Sequence, residues 1–316
     1  MNRTKRILIT SAGGLVGTFL IKHFREMDNY YLVGTDMSGY VPLKEKLNAY
    51  YLVMPNISKG YLEAIKSIIE KERIEIIIPV SSYDIEIYSK KSVRELLKPA
   101  KMLLIDYDFH KILHNKEKCS QFLSQFGLSV PKFYFDKREI IFPCILKPDE
   151  SSGSKDVKYL EKEEDFLYWK KRIKNYTLSE YLDGTEYTVD CLFDNSGQCL
   201  GYNARERVKI NSGGAVVSKC VKEERLVEVI GKLEKLKVIK GPVNFQYKIV
   251  NNKICIFDFN TRFASGGLPL SVCAGFDIPK MLVDIISGKQ VKHWNLDEKD
   301  IGLTMIRYYE ENYVRK

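Results

Sequence analysis

The first third of the chain alternates between short apolar runs and amphipathic stretches. The runs are rich in β-branched residues and predict buried strands, while the stretches between them have helical spacing. The predicted strands are residues 5–10, 30–36, 50–54, 74–80 and 102–105, and the predicted helices run from a glycine turn to about residue 27, over 61–73 and over 85–97. Strands that alternate with helices in this way are typical of a parallel sheet. We therefore expect an α/β domain over residues 1–108.

The pattern changes after residue 108, where hairpins replace the regular alternation. Helical spacing predicts helices over 116–126, 161–174, 224–236 and 278–287. Strand-like runs predict three hairpins, at 144–160, 185–208 and 243–259. Strands and helices on separate stretches indicate an α+β region. The expected fold class is thus parallel α/β followed by α+β.

Composition and charge narrow the function classes. The 316 residues suit two domains, and the net charge of +9 suits a phosphate-rich ligand as well as a nucleic acid. No run of five or more basic residues occurs, so nucleic acid is not the expected partner. No stretch of 18 apolar residues is present, and the amino-terminal apolar run is too short for a signal peptide. We expect a cytoplasmic protein with no membrane partner.

Cysteine and histidine spacing gives no metal signature. The seven cysteines are scattered without a CxxC pair, which indicates a reduced protein without a zinc site. His110 and His114 have i,i+4 spacing and could share a helix face. With no third ligand nearby, a surface or linker helix is the favoured interpretation.

A polar group of side chains interrupts the carboxyl-terminal hairpin. Asp258 and Asn260 lie two residues apart on one strand and therefore share a face, with Phe257 and Phe259 on the other. With a turn at residues 251–252 and equal arms, Gln246 on the first strand falls opposite Phe257 and beside Asp258. Oxygen-bearing side chains of this kind suit Mg²⁺ shared with phosphates. Arg262 could hold a phosphate with its guanidinium, although a polar sheet face open to water would give the same pattern.

Two further segments could contact a nucleotide. Lys147 ends an apolar run and precedes a serine- and glycine-rich loop over residues 151–154, whose N–H groups suit oxyanions. Glu180 and Leu182 end a later strand and are followed by Glu186, so that backbone groups could pair with adenine and a carboxylate with ribose. Each segment alone is equally consistent with an ordinary hairpin.

Together, the order of these motifs resembles the ATP-grasp ligases. The motifs are NKEKCSQFLSQFGLSVP, ILKP, the serine–glycine loop, EYLDGTEYTVD and DFNTR, and the resemblance covers about residues 109–290. It is strongest to short single-copy relatives of the carbamoyl-phosphate synthase large subunit, and INSGGAVVS is similar to a substrate-facing loop of that enzyme. The resemblance implies a pre-ATP-grasp α/β domain over 1–108, then a two-lobed ATP-grasp fold. Its small lobe, with the lid loop, would cover 109–183, and its carboxyl-terminal lobe, with the metal site, 184–316.

The resemblance also implies a role for each matching residue. ATP would contact Lys116, Lys147, the lid residues Ser151, Ser152, Gly153, Ser154 and Lys155, the adenine-binding residues Glu180, Tyr181 and Leu182, and the ribose-binding Glu186. Mg²⁺, or Mn²⁺ in its place, would be held by Gln246, Asp258 and Asn260. The catalytic residues would be Arg262, Lys147 and Asn260. Many relatives have Glu where Asp258 stands, so the weaker donor set leaves reduced turnover, or nucleotide binding without turnover, as an alternative.

Substrate contacts are expected from glycine turns and a basic strand. The implied residues are Gly13, Gly14, Arg205, Asn211, Ser212, Gly213 and Gly266. Arg205, Arg207 and Lys209 alternate along one strand, which suits an anionic carboxylate but also suits a charged edge strand. The SAGGLVG turn, with Asp36 downstream, also resembles a dinucleotide-binding turn, although GxGxxG is not met.

The sequence thus predicts an ATP- and Mg²⁺-dependent carboxylate–amine ligase. Such an enzyme activates a carboxylate as an acylphosphate, releases ADP and joins the acid to an amine. Its partners would be small-molecule acids and amines, and a homodimer is a family expectation. The alternatives are an ATP-binding protein without ligase turnover, a small-molecule kinase, and an NAD(P)-linked oxidoreductase that uses the amino-terminal turn.

Overall fold

The structure, a computed structural model, describes residues 4–148, 157–211 and 213–313. Its first part is a four-stranded parallel sheet with strand order β3-β2-β1-β4. The strands are β1 (Lys5–Ile9), β2 (Tyr30–Asp36), β3 (Ala49–Leu52) and β4 (Ile76–Ile78). The helices are α1 (Leu15–Arg25), α2 (Tyr61–Glu72), α3 (Ser82–Tyr88) and α4 (Lys91–Leu96). Their apolar faces cover both sides of the sheet, as the near-continuous apolar strands predict.

Two antiparallel sheets form the rest of the chain. The smaller contains β5 (Cys144–Pro148), β6 (Lys158–Leu160) and β7 (Tyr176–Glu180), in the order β6-β5-β7. The larger has the order β12-β11-β8-β9-β10-β13. Its strands are β8 (Tyr187–Phe193), β9 (Cys199–Asn211), β10 (Gly214–Val221), β11 (Gly241–Val250), β12 (Lys253–Asn260) and β13 (Thr304–Ile306). The remaining helices are α5 (Tyr107–His114), α6 (Lys116–Gln125), α7 (Glu163–Trp169), α8 (Leu226–Lys235), α9 (Leu268–Cys273) and α10 (Ile278–Ile286).

The parallel sheet and the large antiparallel sheet share one apolar core. Residues of β1, β4 and α1 pack with Leu192 of β8 and with α9 and α10. His23 of α1 lies 2.8 Å from Asp277, which precedes α10. A methyl group at Gly17 would lie 2.5 Å from the carbonyl oxygen of Ala12, so α1 can pack this closely only with glycine there. This packing brings the first domain against the polar face of the large sheet.

The predicted fold class is confirmed, while several element bounds are wrong. The helix predicted over 85–97 is two short helices, α3 and α4, and residues 102–105 form no strand, although Ile77 donates to the carbonyl of Lys101. The helix predicted over 161–174 extends only over Glu163–Trp169. Strand β10 occupies most of the segment that resembled a substrate-facing loop. The sheets fall within the three predicted domain ranges, and those boundaries remain a prediction.

Within the described part of the chain, every helix is too short or too polar to cross a membrane. Six of the seven cysteines are buried as free thiols, and Cys273 is exposed.

Candidate active site

An open cleft of ≈ 1000 Å³ lies on the polar face of the large sheet. It is bounded by β12, the strand end at Lys147, the beginning of α6 and the segment after β12. Nine of the residues predicted from the sequence line it: Lys116, Lys147, Arg205, Gly213, Gln246, Asp258, Asn260, Arg262 and Gly266. These nine predicted phosphate, metal and substrate residues therefore meet in one place, although they come from distant parts of the chain.

A bulge in β12 sets the register of the predicted metal residues. From the turn, β11 and β12 pair evenly as far as Tyr247 and Ile256, and the pairing then shifts so that Gln246 lies opposite Asp258. The expectation that Gln246 faces Phe257 is wrong by one residue, because Phe257 is the extra residue of the bulge. Phe257 does not turn away from the site either: its ring lines the cleft, with Lys147 Nζ 5.5 Å from the ring centroid.

Two rows of polar side chains cross the cleft face of the large sheet. Strand pairing aligns Arg205, Thr188, Gln246 and Asp258 in one row, on β9, β8, β11 and β12. The next row on that face is Asn203, Asp190, Asn244 and Asn260. Neighbouring strands lie about 4.8 Å apart, so the Cα atoms of the first row's two ends are about 14 Å apart. One end of the row carries the predicted metal carboxylate, and the other carries a buried arginine.

At the β12 end of the cleft, polar side chains are joined by a continuous chain of hydrogen bonds. Asn260 Nδ2 donates to Asp258 Oδ2 at 2.7 Å, and Arg262 Nη2 donates to Asn260 Oδ1 at 3.3 Å. Arg262 Nε also donates to Ser82 Oγ of the first domain, at 2.9 Å. Burial lowers the pKa of Arg262, and the charge of Asp258 opposes that effect. A half-buried guanidinium held at several atoms is well placed to receive an oxyanion.

Two lysines approach the same end of the cleft from other elements. Lys147 is the next-to-last residue of β5, and Lys116 is the first residue of α6. Both line the cleft. Burial is the largest cause of the lowered pKa of Lys147, and Asp258 partly restores it. An anion bound beside Lys147 would raise the pKa again, because it stabilises the charged ammonium. The arrangement concentrates positive charge around Asp258, as binding of a polyphosphate requires.

Histidine lies closer to the site than the sequence predicted. His114 lines the cleft, and its ring stacks on that of His110 with centroids 5.3 Å apart. His110 is 1% exposed and lies 2.8 Å from Thr261 Oγ1. The surface interpretation is therefore wrong for His110, because α5 packs against the end of β12, whereas His114 is exposed. Burial lowers the pKa of both rings, that of His110 to about 4.

The predicted adenine and ribose residues lie outside the cleft lining. Glu180 accepts from the backbone N–H of Lys132 at 2.8 Å, and Lys248 Nζ donates to the Leu182 carbonyl at 2.8 Å. The Tyr181 ring lies edge-on to Tyr159. Glu186 Oε1 is 2.8 Å from Arg207 Nε, and Arg207 lines the cleft. These residues surround the connection between the two antiparallel sheets, and their nucleotide contacts remain a prediction.

The amino-terminal glycine turn holds a carboxylate of the chain itself. The backbone N–H of Gly13 donates to Asp36 Oδ2 at 2.8 Å, and Gly14 N–H donates to the carbonyl of Ser11 at 3.2 Å. Neither glycine lines the cleft. Asp36 therefore occupies the N–H group that a dinucleotide phosphate would need, which weighs against the NAD(P) alternative.

The remaining predicted residues divide into two groups. Ser151, Ser152, Gly153, Ser154, Lys155 and Ser212 lie outside the described residues. Asn211 ends β9 and does not line the cleft, whereas Gly213 does, and its carbonyl accepts from Arg207 Nη2 at 2.8 Å.

Sequence reasoning missed several residues that line the cleft. Among them are Ser82, His114, Thr188, Asn244 and Ala264. Asn244 lies two residues before Gln246 and Thr188 two residues after Glu186, so the alternation of strands could have found both. Ser82 gave no such signal, because only the packing of the first domain brings it to Arg262.

Comparison with known proteins defines the class of fold. The biotin carboxylase domain of Hydrogenobacter thermophilus 2-oxoglutarate carboxylase, solved with MgADP, ADP and bicarbonate, matches 96% of this chain and 73% of its own. Its TM-score is 0.73 at 15% identity. N5-carboxyaminoimidazole synthetase from Staphylococcus aureus, complexed with ADP, matches 93% of this chain and 80% of its own, with a TM-score of 0.72 at 16% identity. The fold is that of the ATP-grasp proteins.

The sequences support the same class. A family model described as "ATP-grasp in the biosynthetic pathway with Ter operon" matches residues 172–307. The carbamoyl phosphate synthase large chain of Clostridium acetobutylicum is 25% identical over 264 residues, 73% of this chain and 24% of that one. The large chain of Pseudothermotoga lettingae is 25% identical over 236 residues, 63% of this chain and 21% of that one. The resemblance to ATP-grasp ligases of the carbamoyl-phosphate synthase type is confirmed, and the chain spans about a quarter of the length of these relatives.

Proposed function

We propose that this chain is an ATP- and Mg²⁺-dependent carboxylate–amine ligase. The observation that carries the proposal is the convergence of Lys116, Lys147 and Arg262 around Asp258 and Asn260 in one cleft. This is a cationic pocket that contains oxygen ligands, which suits a metal-bound triphosphate. The fold and the similarity to carbamoyl phosphate synthase chains support the same class of reaction.

The donors in the cleft fit Mg²⁺ if phosphate supplies part of the ligation. Asp258, Asn260 and Gln246 offer one carboxylate and two amide oxygens. Among the residues that the structure describes, no group of three or more His, Cys, Asp or Glu side chains is arranged to hold a metal ion. Mg²⁺ is commonly bound through one or two carboxylates together with substrate phosphates, so this sparse donor set is consistent with a metal that arrives with ATP. The bound ion would supply charge neutralisation at the transferred phosphoryl group.

The chain's own residues would then bind and position the reactants. Lys116 and Lys147 neutralise phosphate oxygens, and Arg262 receives the phosphoryl group as it moves to the acid. Arg262 Nε donates to Ser82 Oγ, Nη1 to the Phe263 carbonyl and Nη2 to Asn260 Oδ1, so the guanidinium is held in place where it lines the cleft. The acid carboxylate attacks the γ-phosphorus, ADP leaves, and the amine then displaces phosphate from the acylphosphate. Positioning and charge neutralisation are sufficient for the first step.

Carboxylate-dependent ADP release is the test of the proposal. Purified protein is incubated with MgATP, hydroxylamine and a panel of small acids, and ADP and hydroxamate are measured together. A ligase that forms an acylphosphate gives both products in equal amounts with the correct acid. ADP without hydroxamate, together with a phosphorylated product, identifies a small-molecule kinase. Binding of Mg²⁺ and ATP analogues without ADP release on any acid favours the non-turnover alternative.

The proposal also covers the partners, the oligomeric state and the location of the protein. The partners are small-molecule substrates, and we propose a homodimer because the Hydrogenobacter domain was solved as a dimer. Sedimentation velocity distinguishes a dimer from a monomer directly. The cytoplasmic location stays a prediction from the sequence.

A further inference from the structure

Arg205 lies at the opposite end of the cleft from the predicted metal residues. It is 1% exposed, yet it lines the cleft. Three strand intervals separate it from Asp258 along the row that also contains Thr188 and Gln246. The cleft therefore has two centres of positive charge. One is formed by the two lysines and Arg262, and the other is built around Arg205.

One edge of the Arg205 guanidinium is already held by the protein. Its Nε donates to Asp190 Oδ2 at 3.2 Å, and its Nη2 donates to Asp190 Oδ1 at 3.4 Å. Asp190 is fixed in turn, because Ser271 Oγ donates to Oδ2 at 2.5 Å, and Asn203 donates to Ser271 at 3.1 Å. These bonds fix both the position and the orientation of the guanidinium plane.

The other edge has no partner among the described residues. Arg205 Nη1 is buried and makes no hydrogen bond. A guanidinium has five N–H donors, and Asp190 uses one on Nε and one on Nη2. One N–H of Nη2 and both N–H groups of Nη1 therefore remain. The second Nη2 N–H and one Nη1 N–H lie side by side on the edge that Asp190 does not cover. An unpaired buried donor of this kind is costly unless a ligand satisfies it.

The surroundings of Arg205 favour an anion. Arg207 contributes a further guanidinium but is paired with Glu186. Burial lowers the pKa of Arg307 at the end of β13, and the charge of Arg205 lowers it further, so the two cations are close. Asp190 and Glu186 are the acidic partners on this side of the cleft. Arg205 and Arg207 line the cleft and are each paired with one carboxylate, and Arg307 adds a third positive charge close enough to Arg205 to affect its neighbourhood.

We propose that Arg205 binds a carboxylate of the acid substrate through its free Nη1–Nη2 edge. Two parallel N–H···O bonds match the two oxygens of a carboxylate, as in bidentate arginine–carboxylate pairs. Asp190 acts as a positioning residue that keeps the other edge occupied. This inference rests on the proposed function, since it names the group that holds the acid of that reaction.

Acetate binding tests the proposal without any nucleotide. Sodium acetate is titrated against sodium chloride at constant ionic strength, and binding is followed by saturation-transfer NMR. The variants are Arg205→Lys and the double variant Arg205→Met with Asp190→Asn. Arg138→Met is the matched control, because the Arg138 side chain is 89% exposed. Lysine keeps a charge for Asp190 but lacks the second edge, and the double variant removes both buried charges together, which limits misfolding.

We expect saturable acetate binding in the unmodified protein and in Arg138→Met. We expect acetate binding to be at least about tenfold weaker in Arg205→Lys, because one charge-assisted hydrogen bond is lost. We expect no binding in the double variant. Acetate binding that is unchanged in both Arg205 variants, with thermal unfolding showing that they are folded, would overturn the inference. So would the absence of saturable binding in the unmodified protein. The acetate titration contains no ATP, so its result does not depend on ligase turnover. A failure of turnover would contradict the proposed function without contradicting the role of Arg205 in binding a carboxylate.

Discussion

Asp258 lies directly opposite Gln246, and it does so only because Phe257 bulges out of the regular pairing of β11 with β12. The bulge brings the carboxylate and the amide onto the same cross-strand row and also turns the Phe257 ring toward Lys147. A β-bulge redirects side chains locally and is common near active sites. One irregularity of a single strand therefore aligns the predicted metal residues and places the Phe257 ring beside the lysine predicted to bind phosphate.

Asp258→Asn should abolish most turnover while leaving the fold intact. The change removes the one carboxylate of the predicted Mg²⁺ set, and the amide preserves its shape. We expect a fall in turnover of about 10²–10³-fold, together with loss of the Mg²⁺-dependent part of nucleotide binding. Titration of Mg²⁺ in an ADP-release assay measures both effects. Asp28→Asn, on an exposed loop, is the control, and equal activity of the two variants would remove Asp258 from the metal site.

Lys147→Met should weaken binding of an ATP analogue by about 10- to 100-fold, because one charge-assisted hydrogen bond to phosphate is lost. Lys147 has a pKa lowered chiefly by burial, so an ammonium there gains more from a bound phosphate than an exposed one does. Equilibrium binding of the analogue by calorimetry gives the affinity. The exposed Lys91→Met serves for comparison. Unchanged affinity in Lys147→Met would place the triphosphate elsewhere.

Two glycine-to-alanine changes should have opposite effects on stability. A methyl group at Gly267 would lie 1.8 Å from Arg205 Cζ, and Asp190 prevents the guanidinium from moving away freely. We expect Gly267→Ala to destabilise by about 1–3 kcal/mol through overpacking. Gly231→Ala on α8 meets nothing within 4 Å and should stabilise by about 0.5–1 kcal/mol. Urea unfolding measures both, and a neutral Gly267→Ala would show that Arg205 is not tightly held.

Acid should destabilise the protein through His110. Burial is the main cause that lowers the pKa of this ring from 6.5 to about 4, so the unfolded chain binds the proton more strongly. The neutral His110 ring therefore contributes fully to the free energy of unfolding above pH 6.5. As the pH falls toward 4, the free energy of unfolding decreases by an amount on the order of 3 kcal/mol. His110→Asn, which can still bond Thr261 but does not titrate, should lose less stability over that range. Urea unfolding at several pH values measures the free energy of unfolding of the unmodified protein and of His110→Asn. The same pH dependence in both proteins would contradict this account.

The sequence predicts the fold class because hydrophobic period and turn residues are local signals. It predicts Gln246, Asp258, Asn260 and Arg262 as neighbours because a single hairpin and its continuation carry them. The register was wrong by one residue, since nothing in the local pattern marks Phe257 as a bulge. The strand predicted at 102–105 failed for a related reason: its apolar residues pack in the core without extending the sheet ladder.

Long-range packing accounts for the rest of the site. Ser82 and His114 reach the cleft from elements whose own patterns are those of ordinary helices. The free edge of Arg205 depends on Asp190, Ser271 and Gly267, which are separated by many residues and by several strands. Alternation along β9 could place Arg205 on the cleft face, but only the folded structure shows which of its N–H groups are occupied.

The most direct measurement is the thermal stability of the protein with Mg²⁺ and a nonhydrolysable ATP analogue, compared with NAD⁺ and NADPH. At 100 times its dissociation constant a ligand adds about 2.7 kcal/mol, which for a chain of this length raises the melting temperature by several degrees. We predict a Mg²⁺-dependent rise with the ATP analogue in the unmodified protein, a much smaller rise in Asp258→Asn, and none with either dinucleotide. A rise with NAD⁺ or NADPH alone would contradict the account and move the site to the amino-terminal glycine turn.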